Sequence, residues 1–163
     1  FINVDMKDMK DPKKTQKPAM RNVLIILLGF LGLGAIYGGG TLIISPSGEL
    51  LGMPLSLLEH SPFNSFLVPG IILFSVLGIA PCLLIIALLK KPEKKFAERL
   101  NFFKDMHWSW SYSIYTGFAL IIWIQIEMLF LQAVEWIHVF YVFLAVAIIF
   151  VALLPQVRIL YKK

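Results

Sequence analysis

The chain has 163 residues, 58% of them hydrophobic and only 15% charged, with a formal net charge of +5 and a mean hydropathy of +0.79. A soluble domain is about half apolar and a quarter charged, so a water-soluble globule is excluded, as are disordered and collagen-like chains. The single cysteine, Cys82, excludes an intramolecular disulfide framework, a CxxC redox pair and a cysteine-rich zinc site. A small integral membrane protein remains.

Residues 1–21 are polar and lysine-rich, interrupted by Pro12 and Pro18, and predict a disordered basic tail. Four apolar stretches then follow, over about 23–44, 66–89, 109–131 and 136–154, within one domain spanning 22–157. Each reaches the roughly 20 residues that a helix needs to cross the hydrocarbon. None shows the alternation of a membrane barrel strand, so each is expected to be a helix. The first is too long for a signal-peptide core and is expected to be retained. A basic C-terminal tail, 158–163, closes the chain.

All fifteen Lys and Arg fall in the N-terminal tail, the loop between spans two and three, or the C-terminus. The positive-inside rule therefore predicts both termini and the middle loop on the cytoplasmic side. The positive charge hugs one membrane face and accompanies no nucleic-acid-reading motif, so the bilayer is the expected partner and nucleic acid is not. The fold class is then all-α: an integral membrane four-helix bundle, N-in and C-in.

Span one carries Gly34 and Gly38 in a GxxxG pattern, and Ala35 with Gly39 repeats the spacing, which predicts close helix packing. The outer loop, 45–65, is too apolar to hang free. Pro54 is expected to open a short interfacial helix with Leu55 and Leu58 facing the membrane, ended by Ser61-Pro62. Pro81 should kink span two. In the cytoplasmic loop Phe96, Leu100 and Phe103 recur at helical spacing, as in an interfacial amphipathic helix.

In span three Ser109, Tyr112, Ser113, Thr116, Leu120, Trp123 and Glu127 share one stripe, which should face the bundle interior, with Gln125 opposite. Glu127 is the one ionisable residue well inside a span and is the leading candidate for a ligand or proton site. In span four His138 begins a stripe of small residues, and Glu135 lies three residues before it, a Glu-x-x-His spacing. Glu127, His138, Glu135, Trp123, Thr116 and Tyr115 are the candidate ligand or proton residues. Glu127, Glu135, His138, Glu59 and His60 gather toward the outer end without a basic residue, and are the candidate set for a divalent cation. A free surface position for Glu59 and ordinary interfacial polarity for the group are the competing readings.

The Gly-rich first span, the segment PSGELLGMPLSLLEHSPFNSFLVPG (Pro46 to Gly70) and WIQIEML (Trp123 to Leu129) resemble a group of uncharacterised bacterial four-helix integral membrane proteins over residues 23–155. More distantly the layout is similar to DoxX-like membrane proteins, a likeness that implies a subunit of a quinone-linked oxidoreductase.

No nucleophile–base pair or cofactor motif is present. The expected function is therefore a non-catalytic accessory or binding protein of the bacterial inner membrane. It would take a lipid-like or small hydrophobic ligand in a cavity between spans three and four beneath the outer loop. No cofactor is expected on that reading. The alternatives are the DoxX-like oxidoreductase subunit, with a quinone, and a small proton- or cation-coupled transporter. A membrane-protein partner or a second copy of the chain completes the list of expected partners.

Overall fold

The computed structural model describes residues 18–163, so most of the expected N-terminal tail lies outside the described residues. Among those residues the chain is all-helical, with no strand and one isolated antiparallel bridge between Met106 and Lys162. Helix α1 is Ala19–Ile44, α2 is Leu67–Lys90, α3 is Lys95–Arg99, α4 is Trp108–Leu131, α5 is Trp136–Leu153 and α6 is Pro155–Tyr161. Two short 3-10 helices, Glu49–Leu51 and Leu55–Leu58, lie between α1 and α2.

Helices α1, α2, α4 and α5 are each long and apolar enough to cross a membrane. Only 22% to 33% of each span's apolar window is buried within the molecule. The rest, including Ile26, Leu33, Leu83, Ile122, Phe143 and Phe150, faces outward. Such a surface is compatible with lipid and not with water.

The observed bounds differ from expectation mainly at two places. Helix α1 begins at Ala19 because Ala, Met and Arg favour helix, with Pro18 left outside at the N-cap. The expected C-terminal tail is not free. Pro155 forces Leu154 into an extended conformation (ψ 137°), which ends α5, and then opens α6 at its first residue. Tyr161 of α6 is fully buried, and its hydroxyl donates to the Leu88 carbonyl at 2.8 Å.

The spans form a ring in chain order. Helix α1 packs along α2 and against α5, α5 packs along α4, and α4 meets α2 chiefly at Ala80–Lys90. Toward the other end α2 and α4 part. The α1–α2 seam is made by Gly32 and Gly39 facing Gly78 and Gly70. A Cβ on Gly39 would lie 2.6 Å from the Phe74 amide nitrogen and 2.8 Å from the Gly70 carbonyl. Gly34 and Gly38, the expected packing pair, do less. Gly34 makes room for the Tyr141 hydroxyl, and a Cβ on Gly38 would make an ordinary 3.6 Å contact. The seam is the Ala35/Gly39 phase of the same small-residue pattern.

Pro81 does not simply kink α2. The seven residues before Ala80, Leu73–Ile79, form a π-helix. The proline lacks an N–H and its ring strikes the carbonyl four residues earlier. The wider i→i−5 register, in which the Ala80 N–H donates to the Ser75 carbonyl, gives the ring room. The Ser75 hydroxyl donates to the Ile71 carbonyl at 2.7 Å, satisfying one backbone acceptor inside this apolar segment.

The helix ends that carry lysine and arginine converge on one side of the bundle, and the loop 91–107 closes it. Asn101, with no exposed surface, donates to the Met106 carbonyl (2.8 Å) and the Glu98 carboxylate (3.2 Å). It accepts from the Ser111 hydroxyl (2.6 Å) and the Phe103 amide (3.1 Å). The Trp108 indole donates to the Pro92 carbonyl, and the Trp110 indole to that of Ala152. Lys163 pairs with Glu98 at 2.8 Å, and Lys91 stacks over the Tyr161 ring. Helix α3 is shorter than the amphipathic stretch expected, but Phe96, Leu100, Phe102 and Phe103 are exposed around it.

Three groups outside the spans titrate away from their ordinary values at this end. Burial pushes the Tyr161 hydroxyl up to about 12. Burial also pulls the His107 imidazole down. For Glu98, burial acts upward, but the hydrogen bonds from Lys163 and Asn101 together outweigh it and hold the carboxyl below the usual range.

Two predictions arise from this packing. Gly39→Ala should lower stability by about 1–3 kcal/mol through overpacking, while Gly38→Ala, at an uncrowded helix-interior site, should raise it by up to about 1 kcal/mol; thermal unfolding in detergent reads both. Glu98 has a depressed folded-state pKa, so its contribution is present above the ordinary carboxylate range and is lost as pH falls through the folded value. Protease cleavage after residue 155 should therefore accelerate on acidification in the native chain, and Lys163→Ala should flatten that pH dependence.

Candidate functional site

Where α2 and α4 part, a cleft of about 520 Å³ opens at the end opposite the lysines. Its walls are Pro69, Ile72, Val76 and Leu77 of α2 and Ala119, Ile122, Trp123, Ile126, Glu127, Phe130 and Leu131 of α4. The loop between α1 and α2 roofs it with Met53, Leu58, Phe63 and Phe66, and Leu42 of α1 closes the back. Phe63 meets Phe130 edge to face at 6.2 Å, tying the roof to α4. Ile72, Val76, Ile122 and Ile126 are exposed, so the cleft opens sideways through the apolar surface.

The cavity was expected between spans three and four, and the structure places it between spans two and three. Spans three and four pack closely at Gly117. A Cβ on Gly117 of α4 would strike Ile149 of α5 and come within 3.2 Å of the Ala145 carbonyl. The roof also differs from expectation. Pro54 stands before the 3-10 helix Leu55–Leu58 and not within it. Leu58 points inward, 7% exposed, onto Leu42 and Phe66, and only Leu55 is exposed.

The expected polar stripe of α4 does turn inward. Ser109, Ser113 and Leu120 are buried, Tyr112, Thr116, Trp123 and Glu127 are half-buried, and Gln125 is exposed. The stripe nonetheless divides into two separate parts. Tyr115 donates to the Leu100 carbonyl (3.1 Å) and accepts from the Phe102 amide (3.0 Å), so it belongs to the lysine end. Thr116 returns its hydroxyl to the Tyr112 carbonyl at 2.8 Å. Neither reaches Glu127, which lies about 16–18 Å farther along the helix axis at 1.5 Å per residue.

Glu127, His138 and Trp123 do come together. The Glu127 carboxylate lies 4.0 Å from His138 Nε2, and Trp123, one turn back on α4, lines the same cleft. His138 is 4% exposed, and its Nδ1 accepts from the backbone N–H of Glu135 at 3.0 Å. In the neutral ring that bond fixes the proton on Nε2, the nitrogen that faces Glu127. Glu135 and His138 form a capping box at the start of α5, so the Glu-x-x-His spacing serves the helix end. Glu135 itself is exposed.

Of the five residues expected to hold a cation, the structure pairs Glu127 with His138 and leaves Glu59 and His60 exposed in the roof loop. No group of three or more His, Cys, Asp or Glu side chains converges among the described residues. The sequence reading missed the α2 wall and the aromatic roof. An apolar residue that faces a cleft carries the same letter as one that faces lipid.

No protein-family model matches the sequence, and no curated protein or solved structure matches it.

His138→Ala should lower stability by about 1–3 kcal/mol, because it leaves both the Glu135 N–H and the Glu127 carboxylate short of a partner. In a Glu127→Gln background the same change should cost measurably less. Equal costs in the two backgrounds, read by unfolding titration in mixed detergent, would show that the pair is uncoupled.

Proposed function

We propose that the chain is a non-catalytic accessory or binding protein of a bacterial inner membrane that holds a lipid-like or small hydrophobic ligand in the cleft between its second and third spans. The observation that carries this reading is the cleft itself. Its volume of about 520 Å³ lies within the roughly 300–1,000 Å³ of small-molecule sites. Apart from the Glu127 carboxylate and the Trp123 indole its lining side chains are apolar, and it opens through the lipid-facing surface. A ligand dissolved in the bilayer would enter without crossing water.

Both termini and the loop 91–107 lie on the cytoplasmic side in this reading, supported by the confinement of all fifteen Lys and Arg to those segments. The exposed Phe96, Leu100, Phe102 and Phe103 then meet the inner leaflet, with Lys94, Lys95, Arg99 and Lys104 available to its anionic headgroups. The roof over the cleft sits at the outer interface. No cofactor is called for.

The test is occupancy. Ala119→Trp fills the cleft from the α4 side, whereas Phe118→Trp places the same indole on the exposed face of the same helix. Native mass spectrometry of protein released from its membrane should show a small hydrophobic adduct on the unmodified chain and on Phe118→Trp. Ala119→Trp should lose at least four-fifths of it. Equal occupancy in both variants would overturn the reading.

A further inference from the structure

The cleft has a polar side chain of one sign only, and that constrains the head group of its ligand. Resting on the reading that the cleft is a ligand site, we infer that it takes a single-chain amphiphile whose head is a hydrogen-bond donor, a hydroxyl or an amine, set against Glu127. An anionic head is disfavoured there.

Three observations carry this. First, Glu127 is the only ionisable residue among those lining the cleft. Every described Lys and Arg lies at the opposite end of the bundle, so no cation faces an anionic head. Second, the carboxylate keeps acceptor capacity in reserve. Two carboxylate oxygens offer about four acceptor sites, and His138 Nε2 stands 4.0 Å from one of them, beyond hydrogen-bond distance. That nitrogen is the donor of the neutral ring, so the chain already treats this position as an acceptor, and the side of Glu127 turned to the cleft is left for a further donor. Third, the polarity is graded. Glu127 lies one turn from the end of α4, and the cleft runs from there down to Ala119, where Leu77 of α2 faces it. The distance from Leu131 to Ala119 is about 18 Å along the helix. A head at Glu127 and a chain pointing toward Ala119 follow the arrangement of an amphiphile in one leaflet. Entry between Val76 and Ile122 lets it keep that orientation throughout.

The experiment uses the full chain in lipid nanodiscs with three brominated probes of equal chain length: dibromododecylamine, dibromododecanol and dibromododecanoate. Each is titrated at neutral pH and scored by its membrane mole fraction. Bromine quenches a nearby indole, and the part of the signal lost in Trp123→Phe is the part that reports the cleft. The amine and the alcohol should quench Trp123 at mole fractions at least tenfold below the acid. Parity between those two assigns a neutral donor head, and an advantage for the amine assigns a cationic one. Glu127→Gln should shrink the gap to less than threefold while leaving the alcohol effective. If the acid quenches Trp123 as well as the other two, the head-group inference falls and the cleft stands as a general apolar site. If no probe quenches Trp123 above the level given by brominated lipid, the ligand-site reading itself falls. Should Glu127→Gln fail to fold, the comparison of acid with amine and alcohol on the native chain decides the matter alone.

Discussion

The cleft depends on a clamp at the far end of the molecule. Asn101 is fully enclosed, and its amide is engaged on both sides, by Met106 and Glu98 as acceptors and by Ser111 and Phe103 as donors. That one side chain folds the loop 91–107 back onto the start of α4. Trp108 ties the same loop to Pro92, just beyond the end of α2. Spans two and three are thus drawn together where the lysines gather. Elsewhere each has a tighter partner, α2 on α1 through glycine contacts and α4 on α5 through Gly117. The two closely packed pairs are joined at one end and part at the other, and the wedge between them is the cleft. A buried amide satisfied on all sides is well suited to the task, because any slippage of the loop would strand polar groups without water.

The same accounting explains how Glu127 is tolerated. A carboxylate in a span costs about 2.5–3.5 kcal/mol at the bilayer centre and less toward an interface, so it must find partners on neighbouring helices. His138 faces it from α5 with the ring already oriented by the Glu135 amide. The capping box therefore has two consequences. It satisfies the first turn of α5, and it fixes which imidazole nitrogen carries hydrogen toward α4. Glu127 ends between an ordered polar pair on one side and an apolar cleft on the other.

Much of this was legible in the residues. The four spans were visible as runs of apolar letters, because hydrocarbon thickness sets their length. The inward face of α4 was visible in the spacing of Ser109, Ser113 and Glu127. Thr116 shares the face of Glu127 but sits at the other end, because a helical wheel gives direction and not depth; Tyr115 lies about 120° around the axis from Glu127 as well as far along it. Glu135 and His138 have the spacing of half a metal motif and of a capping box alike, and only the backbone geometry separates the two. The cavity was assigned to the wrong pair of spans for a related reason. Small residues on α5 suggested space, whereas Ile149 fills the hollow that Gly117 leaves. Pairing between helices is a three-dimensional fact that a one-dimensional pattern of small residues does not contain.

The π-turn in α2 connects these points. Eight residues separate Gly70 from Gly78, and in an unbroken α-helix that step leaves them about 80° apart around the axis. Both nevertheless face α1, Gly70 against Gly39 and Gly78 against Ile36. The extra residue absorbed over Leu73–Ile79 takes up roughly one α-helical step of about 100°, which brings the two glycines into line on α1. It also turns Ile72 and Val76 away from α1, so that they are free to line the opening of the cleft. Pro81, at the foot of that segment, is the covalent reason for the wider register. The proline that the sequence marks as a kink thus sets the rotation of the outer half of α2, and through it which apolar side chains face a neighbouring helix and which face the cleft.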